Sequence, residues 1–165
     1  MSSTLSKPVP EAEVIAIACD HAGYQLKTEV VKVLTELGVQ VEDLGCSNPD
    51  ESVHYPVFGK KVVDAILSRP HTRGILICGT GLGMSMVANR FPGIRAALCS
   101  DVSTAVMSRR HNNANLLVLG GRMIGPQLAR EIVHAWLTTP FDGGRHQERL
   151  DLLEELAGPR PNNDL

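Results

Sequence analysis

The sequence is poor in aromatic residues and contains no long apolar run. It has one Trp, two Tyr and three Phe among 165 residues, too few for a surface that stacks nucleic-acid bases. Its apolar runs have the length of strands and fall far short of the roughly 20 residues that a membrane-spanning helix needs. With a net charge of -2, nothing in the bulk electrostatics calls for nucleic acid or an anionic membrane as a partner. These shortages predict a protein with neither a nucleic-acid partner nor a membrane partner.

Cysteine motifs, metal-binding histidine motifs and the serine hydrolase motif are also missing. Cys19, Cys46, Cys78 and Cys99 show no CxxC spacing and follow no apolar leader, so we expect free thiols in a reducing, cytoplasmic compartment. Cys46 has no evident partner, and Cys19 is the nearest candidate to pair with Cys78 in a redox sensor. The histidines form neither HxxxH nor HExxH, which leaves a histidine-based metal site with little support. No G-x-S-x-G elbow is present, which disfavours a serine hydrolase.

The bulk composition fits one globular domain. Hydrophobic residues make up 43% and charged residues 21%, as in ordinary soluble domains, and the length suits a single core. Residues 1–13 are polar with two prolines and predict a flexible N-terminal arm. Residues 14–157 would form the domain, and residues 158–165 a C-terminal tail after a Gly-Pro helix end.

Short β-branched runs alternate with longer amphipathic stretches along the domain. Strands are predicted at 14–19, 39–44, 74–78, 94–99 and 115–119, and helices at 22–37, 56–67, 82–89, 102–110, 126–137 and about 147–156. The strands are apolar over nearly their whole length, which is typical of a parallel sheet covered on both faces. We therefore predict an α/β fold, a Rossmann-like three-layer α/β/α sandwich around a five-stranded parallel sheet.

The segment that follows the third predicted strand is the most informative. It reads CGTGLGMS from Cys78 to Ser85, where such folds bind ligands. Its alternate glycines let backbone N–H groups approach an anion, and the next helix begins there. A cysteine in this position is expected to be partly thiolate. A tight turn without a ligand is the alternative, and the spacing fits neither GxGxxG nor a P-loop, which disfavours a nucleotide.

Four other polar elements fall near strand or helix ends. They are Asp20-His21, residues 110–113, Arg122, and residues 143–147 with Arg149. Each has a structural interpretation as well: Asp20 can cap a helix, and a basic cluster can end or begin one. Their convergence where this fold binds ligands favours a functional site.

The chain resembles the ribose-5-phosphate isomerases of type B, in a wider family that includes allose- and galactose-6-phosphate isomerases. The matching segments are CDHAGYQLK (19–27), YP (55–56), residues 74–99, residues 108–125 and GGRHQERL (143–150). The resemblance spans about residues 15–155. It implies an enzyme of the pentose phosphate pathway that interconverts ribose 5-phosphate and ribulose 5-phosphate through a cis-enediolate. It also implies no metal and no other cofactor, and a homodimer, in some members a tetramer, with active sites at the interface.

The resemblance further implies roles for individual residues. Cys78 would be the base that moves a proton between C1 and C2, assisted by Thr80, while Asp20 and His111 would assist opening of the furanose ring. Relatives without this cysteine carry a glutamate where this chain has Met84, so this chain resembles the cysteine subtype. A second subunit would supply part of the site. The substrate would be bound by His21, Tyr55, Gly79, Gly81, Gly83, Asn112, Arg122, Arg145 and Arg149.

Several functions remain open from the sequence. The substrate could be allose 6-phosphate, galactose 6-phosphate or erythrulose 4-phosphate, because pocket depth decides among these sugars. A non-catalytic sugar-phosphate binding module could use the same fold, since fold alone does not establish catalysis. The isomerase is favoured because isomerisation needs one base, oxyanion donors and a phosphate clamp, and candidates for all three are present.

Overall fold

The computed structural model describes residues 13–70 and 72–158, which contain five strands and six helices. Strands and helices alternate along the chain until two helices follow the last strand. The strands are β1 (Val14–Cys19), β2 (Gln40–Asp43), β3 (Thr72–Cys78), β4 (Ala96–Leu98) and β5 (Leu116–Gly120). The helices are α1 (Tyr24–Glu36), α2 (Tyr55–Ser68), α3 (Leu82–Ala88), α4 (Val102–Asn112), α5 (Pro126–Thr138) and α6 (Arg145–Ala157). Apart from Glu13 and Gly158, the predicted arm and tail lie outside the described residues.

The strands form one parallel sheet in the order β2-β1-β3-β5-β4, which confirms the predicted α/β fold. From β1 the chain crosses to β2 on one side and later returns to β3 on the other. The carboxyl ends of β1 and β3 therefore flank the topological switch point, where sheets of this kind bind ligands. Cys19 lies opposite Ile77, one residue before Cys78, so both strands end at the same rim.

Alternation along the strands divides the core into two layers. Ile15, Ile17 and Cys19 face the layer that contains α1 and α5, while Ala16 and Ala18 face the layer that contains α2 and α3. All five are fully buried. Burial on both faces explains why the strands read as continuous apolar runs.

The structure moves several predicted boundaries. The edge strands β2 and β4 are shorter than predicted, because an edge strand pairs on one side only. Helix α4 continues to Asn112 and ends where Asn113 takes a left-handed conformation, φ 45°. A 3-10 turn at His21–Gly23 precedes α1. No helix within the described ranges is both long and apolar enough to cross a membrane.

Candidate active site

The end of β1 holds a buried carboxylate at the switch point. Asp20 is 8% exposed, and its Oδ1 accepts a hydrogen bond from the Gly23 N–H at 3.0 Å. Its own N–H donates to the Ile77 carbonyl at 3.2 Å. Gly23 is required for this approach, since a Cβ there would lie 2.5 Å from the Ile77 oxygen. The turn thus fixes the Asp20 carboxylate beside the end of β3.

The Cys78 thiol lies beneath the glycine loop that follows β3. Cys78 is 5% exposed, and the Gly81 N–H donates to its Sγ at 3.2 Å. Gly81 has φ +82°, a left-handed conformation that favours glycine. Thr80 is exposed, and its Oγ1 accepts from the Leu82 N–H at 3.3 Å. The loop therefore places the Gly81 backbone donor against the sulfur.

Two side chains from other elements lie directly against this loop. The Arg122 N–H donates to the Gly79 carbonyl at 2.9 Å, and its Nη1 lies 3.5 Å from where a Cβ on Gly79 would be. The Tyr55 ring, at the start of α2, lies 2.7 Å from where a Cβ on Gly83 would be. Any side chain larger than hydrogen at Gly83 would displace the phenol, so the glycine positions Tyr55.

His21 is held by a residue that the sequence reasoning did not identify. The Val53 N–H donates to His21 Nδ1 at 3.2 Å, which leaves Nε2 to carry the proton of a neutral ring. Val53 belongs to the turn-rich segment between β2 and α2. No sequence signal could have found this contact, because every residue except proline carries a backbone N–H.

The remaining predicted residues lie at the other end of the strands, at the amino ends rather than the carboxyl ends. Because α4 leaves the carboxyl end of β4 and finishes before β5 begins, His111 and Asn112 are separated from Cys78 by the length of a strand, on the order of 15 Å. Helix α6 packs against α4, so Arg145 and Arg149 join them. The chain thus brings together nine of the thirteen predicted residues at the rim. It gathers the other four in a second group, His111, Asn112, Arg145 and Arg149.

In the second group, His111 stacks on a further histidine, His146, and basic side chains surround the pair. The His111 and His146 ring centroids are 4.3 Å apart, with planes inclined by 9°. Burial, followed by the charges of His111, Arg145 and Arg149, lowers the pKa of His146, while Asp142 opposes the shift. His146 was not among the predicted site residues. The excess of basic groups suits an anion at this end of the strands.

The same group contains atoms that could ligate a metal. Ligand atoms of His111, Asp142 and His146 lie within 4.8 Å of one another. The Asp142 carboxylate, however, is engaged by Arg110, with Nη2 and Oδ2 3.0 Å apart. Two further arginines repel a cation. The charges here favour a phosphate or carboxylate ligand over a metal ion.

These features define a class: a doubly wound α/β protein with a thiol and a carboxylate at its switch point and a separate basic group. Comparison with known proteins identifies the family. The family model described as Ribose/Galactose Isomerase matches residues 15–153, and the chain belongs to this family. This confirms the family resemblance read from the sequence.

The relatives and solved structures agree with this assignment. Ribose-5-phosphate isomerase B of Escherichia coli is 46% identical over 146 residues, 88% of this chain and 97% of the relative. D-erythrulose-4-phosphate isomerase of Pectobacterium atrosepticum is 45% identical over 139 residues, 84% and 91% of the two chains. The crystal structure of a ribose 5-phosphate isomerase from Thermotoga maritima is 54% identical, with a TM-score of 0.84, covering 87% of this chain and 99% of that one.

Proposed function

We propose that this protein is a cytoplasmic aldose–ketose isomerase that interconverts ribose 5-phosphate and ribulose 5-phosphate. The observation that carries the proposal is the Cys78 sulfur under the Gly81 N–H at the switch point. Relatives named as ribose-5-phosphate isomerases, in Escherichia coli and Thermotoga maritima, support the choice of substrate. The protonation chemistry needs only side chains and backbone donors of the chain, so the proposed reaction is metal-independent.

Cys78 is the proposed base. As a thiolate it removes the proton from the carbon next to the carbonyl, forming a cis-enediolate, and returns the proton to the neighbouring carbon. The N–H groups of Gly79 and Gly83, together with that of Gly81 beside the sulfur, are the proposed donors to the developing oxyanion. Thr80, two residues after Cys78 in the same loop and exposed, is the proposed residue that assists Cys78. A pocket that excludes water strengthens each of these interactions.

Ring opening must precede isomerisation, because the furanose form has no free carbonyl. The Asp20 carboxylate lies at the same rim as Cys78 and is the proposed acceptor of a hydroxyl proton. His111 is the proposed acid that protonates the ring oxygen. Within one chain, His111 lies at the amino ends of the strands, away from Cys78. It therefore reaches this sugar only from a second subunit.

We therefore propose a homodimer in which each active site has two parts. One subunit supplies the rim with Cys78 and Asp20, and the other supplies the group at the amino ends of its strands. The phosphate is held between His21 and Arg122 of one subunit and the arginines of the other. A two-fold axis creates two equivalent sites, since each surface meets its complement twice. A tetramer would be a pair of such dimers.

The first test compares the native chain with Cys78→Ala in conversion of ribose 5-phosphate to ribulose 5-phosphate, with EDTA present. We expect native activity in EDTA and a loss of at least about 10³-fold in the alanine variant, because the base is removed. Cys99→Ser is the matched control, since Cys99 is equally buried but lies outside the site, and it should retain activity. Activity that survives Cys78→Ala would show that a residue other than Cys78 is the base.

The second test concerns the shared site. Cys78→Ala and His111→Ala subunits, each inactive alone, are unfolded together and refolded as a mixture. Random pairing makes half the dimers mixed, and each mixed dimer has one intact site of two, so about one quarter of native activity should return. A site built within one chain would recover no activity on mixing.

A second candidate substrate is a four-carbon sugar phosphate. The Pectobacterium atrosepticum relative named as a D-erythrulose-4-phosphate isomerase is about as similar to this chain as the Escherichia coli enzyme. Comparison of kcat/KM for the two substrates decides between them. Substrate binding without turnover of any sugar phosphate would instead indicate a binding module.

A further inference from the structure

Cys19 and Cys46 lie thiol to thiol on the α1 side of the sheet. Their Sγ atoms are 3.8 Å apart, and the residues are 0% and 4% exposed. From the sequence, Cys46 had no evident partner and Cys19 was the candidate partner of Cys78; the structure corrects both expectations. Because side chains alternate along a strand, Cys78 faces the opposite helix layer.

The backbone holds the two residues at a separation suited to a disulfide. The Cys19 N–H donates to the Gly45 carbonyl at 2.7 Å, and the Cys46 N–H donates to the Cys19 carbonyl at 2.9 Å. Backbones joined by direct N–H···O=C hydrogen bonds lie about 5 Å apart, within the Cα range of about 4.4–6.8 Å found across disulfides. Lys27 Nζ donates to the Cys46 carbonyl at 2.7 Å and anchors the segment. Rotation of the two side chains can close the remaining gap between the sulfurs.

The two thiols differ in how a small molecule can reach them. Cys46 lines a surface cleft of about 390 Å³ together with Asn48, Val53 and Phe58. Cys19 has no exposed surface, and burial raises the pKa of its thiol to about 12. A small oxidant therefore meets Cys46 first, with Cys19 behind it as a neutral thiol.

We propose that Cys19 and Cys46, neither of which is a proposed site residue, form a dithiol that hydrogen peroxide converts to a disulfide. The Cys46 sulfur attacks one peroxide oxygen, the O–O bond breaks, and a sulfenic acid and water form. The Cys19 sulfur then attacks the Cys46 sulfur and the S–O bond breaks. The departing hydroxide takes the Cys19 proton, giving a second water. Two thiols are oxidised and one peroxide is reduced.

The crosslink would act on stability. It joins residues 27 positions apart, enclosing α1 and β2, and so restricts the unfolded chain. It also ties the end of β1, which carries Asp20 and His21, to the segment that leads to Val53. For a chain of this size, we expect Tm to rise by about 5–10 °C on oxidation.

The test treats the full-length reduced protein with hydrogen peroxide and removes the excess with catalase. Remaining thiols are alkylated in denaturant, and the peptides are mapped by mass spectrometry, while Tm is measured on a parallel sample. We expect a linked peptide that joins Cys19 to Cys46, lighter by two hydrogens, and a Tm rise that dithiothreitol reverses. Cys46→Ser should show neither, whereas Cys99→Ser, which removes a buried cysteine outside the pair, should show both.

Other outcomes would overturn the proposal. These are both thiols recovered alkylated, Cys46 recovered as a sulfinic acid beside a free Cys19, or Cys19 linked to a different cysteine. If Cys46→Ser is unstable, Cys46→Ala replaces it as the control. The oxidised and re-reduced wild type also provides an internal comparison of Tm that needs no variant. Isomerase activity is not the readout, so failure here leaves the proposed function untouched.

Discussion

The glycine loop over Cys78 makes a sharp prediction for Gly81→Ala. Gly81 has φ +82°, and a Cβ there would lie 2.4 Å from Leu98 Cδ1 and 3.2 Å from the Leu119 carbonyl carbon. The Leu98 methyl group can rotate away, but the backbone of β5 cannot. The substitution therefore combines backbone strain with a steric clash, and both displace the N–H that contacts Cys78 Sγ.

The two costs can be separated by a matched variant. Gly38 also has positive φ, +72°, but nothing lies within 4 Å of a Cβ there, so Gly38→Ala reports strain alone. That strain costs about 1–2 kcal/mol, partly offset by up to about 1 kcal/mol from a less flexible unfolded chain. Overpacking at Gly81 adds about 1–3 kcal/mol. We expect destabilisation of about 1 kcal/mol for Gly38→Ala and about 2–4 kcal/mol for Gly81→Ala.

Urea unfolding followed by circular dichroism measures both free energies. The rate of Cys78 alkylation by iodoacetamide in the folded protein provides the second readout. Because Gly81→Ala moves a donor away from the sulfur, its alkylation rate should change, whereas that of Gly38→Ala should match the native rate. Equal destabilisation of the two variants, or an unchanged alkylation rate in Gly81→Ala, would refute the assignment of the loop as the positioning element for Cys78.

Two further predictions concern buried charge and pH. Lys27→Met leaves the Cys46 carbonyl without its donor and Asp43 without its ion-pair partner, so we expect a loss of about 2–3 kcal/mol in urea unfolding. Lys32→Met, which removes an exposed ion pair with Glu29, should cost no more than about 0.5 kcal/mol. The pKa of His146 is lowered in the folded state, so the unfolded chain binds a proton first as pH falls below about 6.5. Stability should therefore decline on acidification from pH 7 to pH 5, and less so in His146→Gln; an equal decline in both would contradict the pKa direction.

The arrangement of strands and helices could be read from the sequence because its signals are local. The run from Val14 to Cys19 is apolar throughout, and the structure places a strand on those same residues. The first helix was predicted over residues 22–37, and the structure places α1 at Tyr24–Glu36. The lengths of the edge strands were overestimated, because an apolar residue such as Ile94 is buried without belonging to a strand.

The candidate site could be predicted only in part from the sequence. Cys78 ends a strand, Asp20 and Arg122 follow strands, and parallel strands share one carboxyl end, so their convergence follows from the topology. The contribution of Val53 is a backbone N–H, which no residue type reveals. His146 lies within the segment GGRHQERL (143–150), but its stacking on His111 depends on how α6 packs against α4.

The sequence by itself determined the strand and helix pattern, the α/β fold and the residues proposed to carry the chemistry, because periodicity and residue type are properties of the chain. Only the tertiary structure decided that the predicted site divides between the two ends of the strands. It also decided that Cys19 faces Cys46 and that Cys78 faces the other layer. These outcomes depend on which face of a strand each side chain takes and on which elements become neighbours, and both are set when the whole chain packs.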